Sequence, residues 1–309
     1  MTTAHAAPHR VLAILNRTAG SSGDSDLGER VCRLFSAHQI ETRVVWLEPG
    51  VDLSRLVASA AEQVQSIVAG GGDGTISTVA AQLAGGLTPM GVLPLGTLNH
   101  FSKDLGIPQD LEQAVAVIAA GHAAPVDVGE VNGHCFVNNC SVGVYPTMVR
   151  SRERLKRQGL GKWFAAALAT LRTIRGHPGL FVTLGADGAT SMWRTPFVMV
   201  GNNEYNETGL HVSGRHHLNG GHLFAYMAPR VPARQLPRML MKEALLRIMG
   251  RRPTASNSIA VVPGVELSID LRGPRGVDLA VDGEVVRETL PLRLRSRPGA
   301  LRVLVPPTA

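Results

Sequence analysis

Residues 64–85 read VQSIVAGGGDGTISTVAAQLAG, and their order decides the fold. An apolar run at 64–69 reaches Gly70-Gly71-Gly72, passes through Asp73-Gly74-Thr75, and continues at 76–83 with helical spacing. Three glycines after a strand let the main chain come close to a ligand. A helix starting there turns its free N–H groups and positive dipole end toward the same point. That arrangement suits phosphate. A carboxylate inside an anion site needs a reason, which makes Asp73 informative; a plain turn closed by Asp73 as N-cap is the competing reading. A P-loop is excluded, because no Gly-Lys-Ser/Thr follows the glycines. The G-x-G-x-x-G dinucleotide pattern also fails: Thr75 stands at its third position, and the loop follows the third strand rather than the first.

The same rhythm extends outward. Strands are expected at 11–15, 42–47, 64–69 and 90–93. Helices are expected at 27–35 (capped by Asp24 or Ser25), 53–61, 76–83 and 111–120, the last stopping at Gly121. Alternating β and α units imply a doubly wound, mostly parallel sheet covered on both faces. Ligands in such sheets lie beyond the C-terminal strand ends. Two further loops fall at such ends: NRTAGSSG at 16–23 and LPLGTLNHF at 93–101. They bring Asn16, Gly20, Gly96, Thr97 and Asn99 to the sheet edge that carries Gly71, Gly72, Asp73, Gly74 and Thr75. Three such loops on neighbouring strand ends describe a nucleotide site better than three unrelated turns.

Near Pro125 the rhythm changes. Strand patterns dominate at 126–131, 135–142, 180–184, 196–200, 222–227, 259–262, 265–270 and 277–281, interrupted by helical stretches at 162–174 and 235–249. This reads as an antiparallel β-sandwich with helical insertions. Asp282-Gly283-Glu284 lies between two alternating runs, where Asp-Gly is a hairpin turn; Glu284 is the part the turn does not require. NNEYN at 202–206 reads as a surface turn or as lining for a headgroup cleft. Phe136, Asn138, Asn139 and Ser141 read as core or as substrate-facing, and His216-His217 as surface.

Composition narrows the partners. The 309-residue chain is 44% apolar, enough for two cored domains. A net charge of +7 and a pI near 9.9 favour anionic partners. Aromatics at 4% argue against nucleic acid bound by base stacking. Cys32, Cys135 and Cys140 lack metal-ligand spacing and read as reduced, buried residues of a cytosolic protein. The first ten residues do not read as a signal peptide. The longest apolar stretch, 163–171, is too short to span a bilayer. Eight Lys/Arg against Glu153 at 150–175, and seven against Glu243 at 230–252, make two basic segments. The helix at 162–174 gathers Trp163, Phe164, Ala167, Leu168, Leu171 and Ile174 on one face. That face either packs on the sandwich or lies on a membrane surface.

Four motifs together carry a family resemblance: NRTAG at 16–20, GGDGT at 71–75, PLGTLNHF at 94–101 and DGE at 282–284. In order and spacing the chain resembles the diacylglycerol kinase catalytic-domain family, which includes bacterial lipid kinases and sphingosine and ceramide kinases. The resemblance implies a nucleotide-binding α/β domain (1–124, with 296–309 returning to it) and a β-sandwich lipid-substrate domain (125–295). It implies ATP held by the phosphate loops, Mg²⁺ on the phosphate oxygens, and a lipid hydroxyl as acceptor. Asp282, with Glu284 beside it, is the expected base. Asp73 is its rival, or a ligand of the nucleotide-bound Mg²⁺. The implied partners are a lipid and, peripherally, an anionic membrane surface at its cytoplasmic face, with no nucleic acid and with a homodimer left open. A soluble NAD-kinase-type enzyme and a non-catalytic binding relative are the alternatives. The chain departs from the family pattern at Arg17, Thr78 and His100. It departs again at LNGGHL (218–223), where relatives carry acids of a structural Mg²⁺ site, so that site is expected to be absent or altered.

Overall fold

Residues 11–15 of β1 (His9–Leu15) are all buried, as are all six residues of β3 (Ser66–Gly71) and all five of β4 (Met90–Pro94). Unbroken burial is what a strand covered on both faces requires. The computed structural model describes residues 9–17, 26–48, 50–143, 146, 179–208, 211–227, 259–273 and 275–307. The helical stretches expected at 162–174 and 235–249, Gly20, and the Asp24/Ser25 cap lie outside these residues.

The chain divides into two compact units, residues 1–128 with 298–309, and residues 129–297. In the first, β1 lies between β2 (Ile40–Trp46) and β3, with β4 beyond β3, all parallel. The helices are α1 (Leu27–Ala37), α2 (Leu53–Ala61), α3 (Asp73–Leu83), the short α4 (His100–Asp104) and α5 (Leu111–Ala120). Val31 and Phe35, four apart, form the buried stripe of α1. Its N-cap is Asp26, whose side chain makes no capping bond. Helices α2 and α5 start on conventional caps: Asp52 accepts from Arg55 N (3.1 Å), and Asp110 accepts from Gln113 N (3.0 Å). Helix α5 stops at Gly121, whose φ of +73° suits a residue without Cβ.

Strand β5 (Ala123–Val131) leads into the second unit and runs beside β18 (Leu292–Leu304), the last strand. The end of β18 returns to the first unit: Val303 pairs in parallel with Met90, and Gly85 N–H donates to Ala300 O (2.6 Å). Asp127, buried to 1% exposure, accepts the Gly299 N–H at 2.8 Å.

The second unit is antiparallel. One sheet continues from residues 292–297 of β18 through β15 (Glu266–Leu271), β8 (Leu180–Ala186) and β9 (Ala189–Thr195). The other runs β14 (Ala260–Gly264), β13 (Leu223–Met227), β10 (Phe197–Asn202), β7 (Asn139–Gly143), β16 (Gly276–Val281) and β17 (Glu284–Thr289). Burial alternates along β15 and β18, as expected for strands with one wet face. Val182, Leu184, Leu267, Ile269, Leu292 and Leu294 of one sheet share a core with Val142, Val198, Val200, Ala225, Leu279 and Val281 of the other. A separate ribbon pairs β11 (Tyr205–Thr208) with β12 (His211–Arg215). The strand expected at 135–142 is instead two, β6 (His134–Phe136) and β7, because the main chain at 137–138 bonds elsewhere, as described below. Of the cysteines, Cys140 is buried, whereas Cys32 and Cys135 are only partly so. Among the described residues no helix is long and apolar enough to cross a membrane.

Candidate active site

In the first unit three loops are tied to one another. Asn16 N–H donates to Gly70 O (2.9 Å), and its Nδ2 donates to Thr75 Oγ1 (3.0 Å). This joins the first loop to the glycine loop. The third loop touches the second backbone to backbone: a Cβ on Gly96 would lie 2.5 Å from Gly72 Cα and 2.6 Å from Asn99 Oδ1. A Cβ on Gly71 would fall 2.6 Å from the Thr75 side chain. Only glycine lets the loops approach this closely.

Helix α3 begins one turn earlier than its apolar spacing indicates, with Gly72 as N-cap and Asp73 as first residue. Ile76 N–H closes the first turn on Gly72 O (3.1 Å), so the amides of Asp73, Gly74 and Thr75 head the helix. Asp73 does not cap its own helix. Its Oδ1 accepts from Phe101 N (3.3 Å), capping α4 from a neighbouring loop. Asn99, the N-cap of α4, makes no side-chain cap; its φ of +51° is left-handed. Its Nδ2 reaches Pro94 O, Gly96 O and Gln109 Oε1 at 3.0–3.1 Å, and its buried Oδ1 has no partner. Thr97 is exposed on the same turn. Asn16, Gly71, Gly72, Asp73, Gly74, Thr75, Gly96 and Asn99 thus share one cross-tied framework.

The residues present fit a magnesium nucleotide. Gly72 and Gly96 approach backbone to backbone and put no side chain of their own beside the helix-start amides, and Asn99 Oδ1 is an unmet buried acceptor. One carboxylate is also the donor set Mg²⁺ needs when phosphates and water supply the rest.

In the second unit Asp282 and Gly283 form the two-residue turn joining β16 to β17, at φ +45° and +92°, with Val281 opposite Glu284. Positive φ at both positions is the hairpin geometry Asp-Gly favours. The Asp282 carboxylate also reaches out of the hairpin. Oδ2 accepts from Val137 N (2.8 Å), and Oδ1 accepts from Asn138 N (2.9 Å) and Asn139 N (3.0 Å). Asp282 N–H donates to Asn139 O (2.9 Å). These bonds end β6 and explain the break in the expected strand. Burial pushes the neighbouring Cys140 thiol far up, and the Asp282 charge adds to the shift. Glu284 is exposed at the start of β17.

Residues 202–206 are not the surface turn their polarity indicates. Asn202 is 0% and Asn203 2% exposed. Arg215, which the sequence did not single out, is buried against them. Its Nη1 donates to Val137 O (2.7 Å) and Asn202 O (2.8 Å), and its Nη2 to Asn138 Oδ1 (2.9 Å). The Tyr205 ring lies 5.1 Å from the guanidinium, and the Tyr205 hydroxyl accepts from Asn139 Nδ2 (3.2 Å). The signal available in the sequence was a single arginine in SGRHHLNGG. Ser141 and Phe136 are core, and His216 and His217 are exposed.

Residues 10–131 match the family described as diacylglycerol kinase catalytic domain. Residues 141–305 match the YegS C-terminal NAD kinase beta sandwich-like domain. A probable lipid kinase YegS of Salmonella heidelberg is 30% identical over 313 residues, 96% of each chain. The chain belongs to the YegS-like lipid kinase family. A probable lipid kinase YegS-like protein of Cronobacter sakazakii is 39% identical over 146 residues, a stretch spanning 44% of this chain and about half (48%) of that protein. The crystal structure of a diacylglycerol kinase from Bacillus anthracis shares the fold: TM-score 0.70, 24% identity, 97% of this chain and 98% of that one.

Three of the places where the sequence departs from the pattern of the resemblance lie among the described residues. Thr78 turns its hydroxyl onto its own helix, donating to Gly74 O at 2.7 Å. His100 is exposed. In LNGGHL, Gly220 N–H donates to Asn203 Oδ1 at 2.8 Å, so this loop is fastened by an amide side chain.

Proposed function

We propose that the chain is an ATP-dependent lipid kinase, a phosphotransferase that moves the γ-phosphate to a lipid hydroxyl such as that of diacylglycerol. The observation that carries this reading is the cross-tied glycine framework at the start of α3, where Gly72 and Gly96 meet backbone to backbone beside the first amides of the helix. The first unit then serves as the nucleotide domain, with Asn16, Gly71, Gly72, Gly74, Thr75, Gly96, Thr97 and Asn99 around the phosphates, and Gly20 assigned there from its motif. The second serves as the lipid-substrate domain. Magnesium, held beside Asp73, supplies neutralisation of the phosphate oxygens when bound.

The transition state of phosphoryl transfer is loose, so the protein's work is positioning more than strong base catalysis. Asp282 is suited to that. Its ordered carboxylate receives the acceptor hydroxyl's proton late, and the exposed Glu284 lies next along the chain to take it onward. Asp73 holds the donor side, its carboxylate aimed by the Phe101 amide. The basic segments at 150–175 and 230–252 supply attraction to anionic headgroups at a cytoplasmic membrane face.

The test is incubation with γ-labelled ATP and mixed lipids, followed by extraction. Label in the organic phase, abolished by chelation and restored by Mg²⁺, supports the proposal. A second reading, phosphorylation of a soluble dinucleotide, draws on the NAD kinase-like description of the C-terminal domain; label confined to a water-soluble dinucleotide would establish it instead. No transferred label, with nucleotide still bound, would leave a binding protein.

A further inference from the structure

Resting on the phosphoryl-transfer reading, we propose that Arg215 is a positioning residue for Asp282, acting through the two peptide units that join Val137 to Asn139. In the Val137–Asn138 peptide, Val137 O accepts from Arg215 Nη1 (2.7 Å) and Asn202 Nδ2 (3.2 Å), while Asn138 N–H donates to Asp282 Oδ1 (2.9 Å). In the Asn138–Asn139 peptide, Asn138 O accepts from Asn202 N (2.9 Å), while Asn139 N–H donates to the same Oδ1 (3.0 Å). A cation therefore faces the carbonyl side of this segment, and a carboxylate faces its amide side. The peptide dipoles align between the two charges, and each bond polarises the next.

Arg215 is 4% exposed. A guanidinium is costly to bury unless its charge and donors are met, and an apolar side chain would fill the space more cheaply. Among its observed bonds, one goes to Val137 O of the segment bound to Asp282 and one to Asn202 O, whose side chain bonds the same segment. Asn138 Oδ1 takes Nη2, and Tyr205 both stacks on the guanidinium and bonds Asn139. The arginine fork spans two acceptors at fixed spacing, which an ammonium does not reproduce.

The experiment uses the full chain with Arg215→Gln, Arg215→Lys, Asp282→Asn and their double variants. Hydrogen exchange at the Asn138 and Asn139 amides is read first, in the absence of substrate. These amides are expected to exchange at least about tenfold faster in Arg215→Gln, as loss of a charge-assisted bond predicts. In lipid phosphorylation, kcat is expected to fall on the order of tenfold to a hundredfold while both KM values move less than about threefold. Arg215→Lys should fall between, and Arg215→Gln should add nothing in the Asp282→Asn background. Additive losses in the double variant, or unchanged protection at both amides, would overturn the proposal. Should Arg215→Gln not fold, Arg215→Lys carries the same readouts. If the wild type phosphorylates no lipid, the functional reading fails by itself, and exchange alone decides whether Arg215 controls the segment bound to Asp282.

Discussion

Asp73 and Asp282 each spend their carboxylates on amides of another loop: Asp73 on Phe101, Asp282 on the three residues at 137–139. At both positions the acid fixes the direction of its own side chain by tying down a neighbour. For Asp282→Asn the amide NH₂ would face N–H donors, so stability should drop by about 1–3 kcal/mol; a urea unfolding curve measures this without substrate. Gly96→Ala tests the other framework. Its Cβ has no room beside Gly72 Cα at 2.5 Å, a backbone neighbour that cannot swing away. Loss of nucleotide binding by calorimetry, with about 1–3 kcal/mol of destabilisation, is the expected outcome. The glycines and Asp73 were legible because close backbone approach demands specific residue types at specific spacings. Arg215 was not, because a lone arginine carries no spacing; only the fold shows that Val137 and Asn138 lie against it.

Strand β17 carries Glu288, which links the end of the second sheet to the turn after β5. Its oxygens accept from Asn132 Nδ2 (3.0 Å) and lie 2.9 Å from His134 Nε2. The Asn132 hydrogen bond is the main cause, with His134 behind it, of a Glu288 carboxyl held below the usual carboxylate range. A folded-state pKa lowered in this way adds stability above the ordinary glutamate pKa, and that stability is lost as pH falls through the folded value. Urea midpoints followed down through the carboxylate range should therefore fall less steeply in Glu288→Gln than in the wild type. An unchanged acid limb would contradict this. At this scale the sequence was most informative where pattern and burial coincide. The unbroken apolar strands of the parallel sheet and the alternating ones of the sandwich stood where expected. It misled at 135–142, an apolar-polar run that looks continuous. The break comes from a carboxylate 145 residues away in sequence, and no local pattern registers it.

The last strand contributes residues to both units. Residues 292–295 of β18 pair with β15, and Val303 pairs with Met90 of β4. Leu301 and Val303, both 0% exposed, belong to the core of the first unit although they lie far from its other residues along the chain. Leu301→Ala should cost about 2–5 kcal/mol, read as a lower midpoint in thermal melts. A returning segment at 296–309 was an expectation of the family resemblance, not of the local pattern. Its place beside β4 follows from the register Val303–Met90, which apolar character alone does not specify. This pairing also sets a timetable for synthesis. Translation delivers β1 to β4 first, and then the whole second unit, before residues 298–304 emerge. Throughout that interval β4 has a bare edge, an invitation to mispairing that the ribosome or a chaperone must shield.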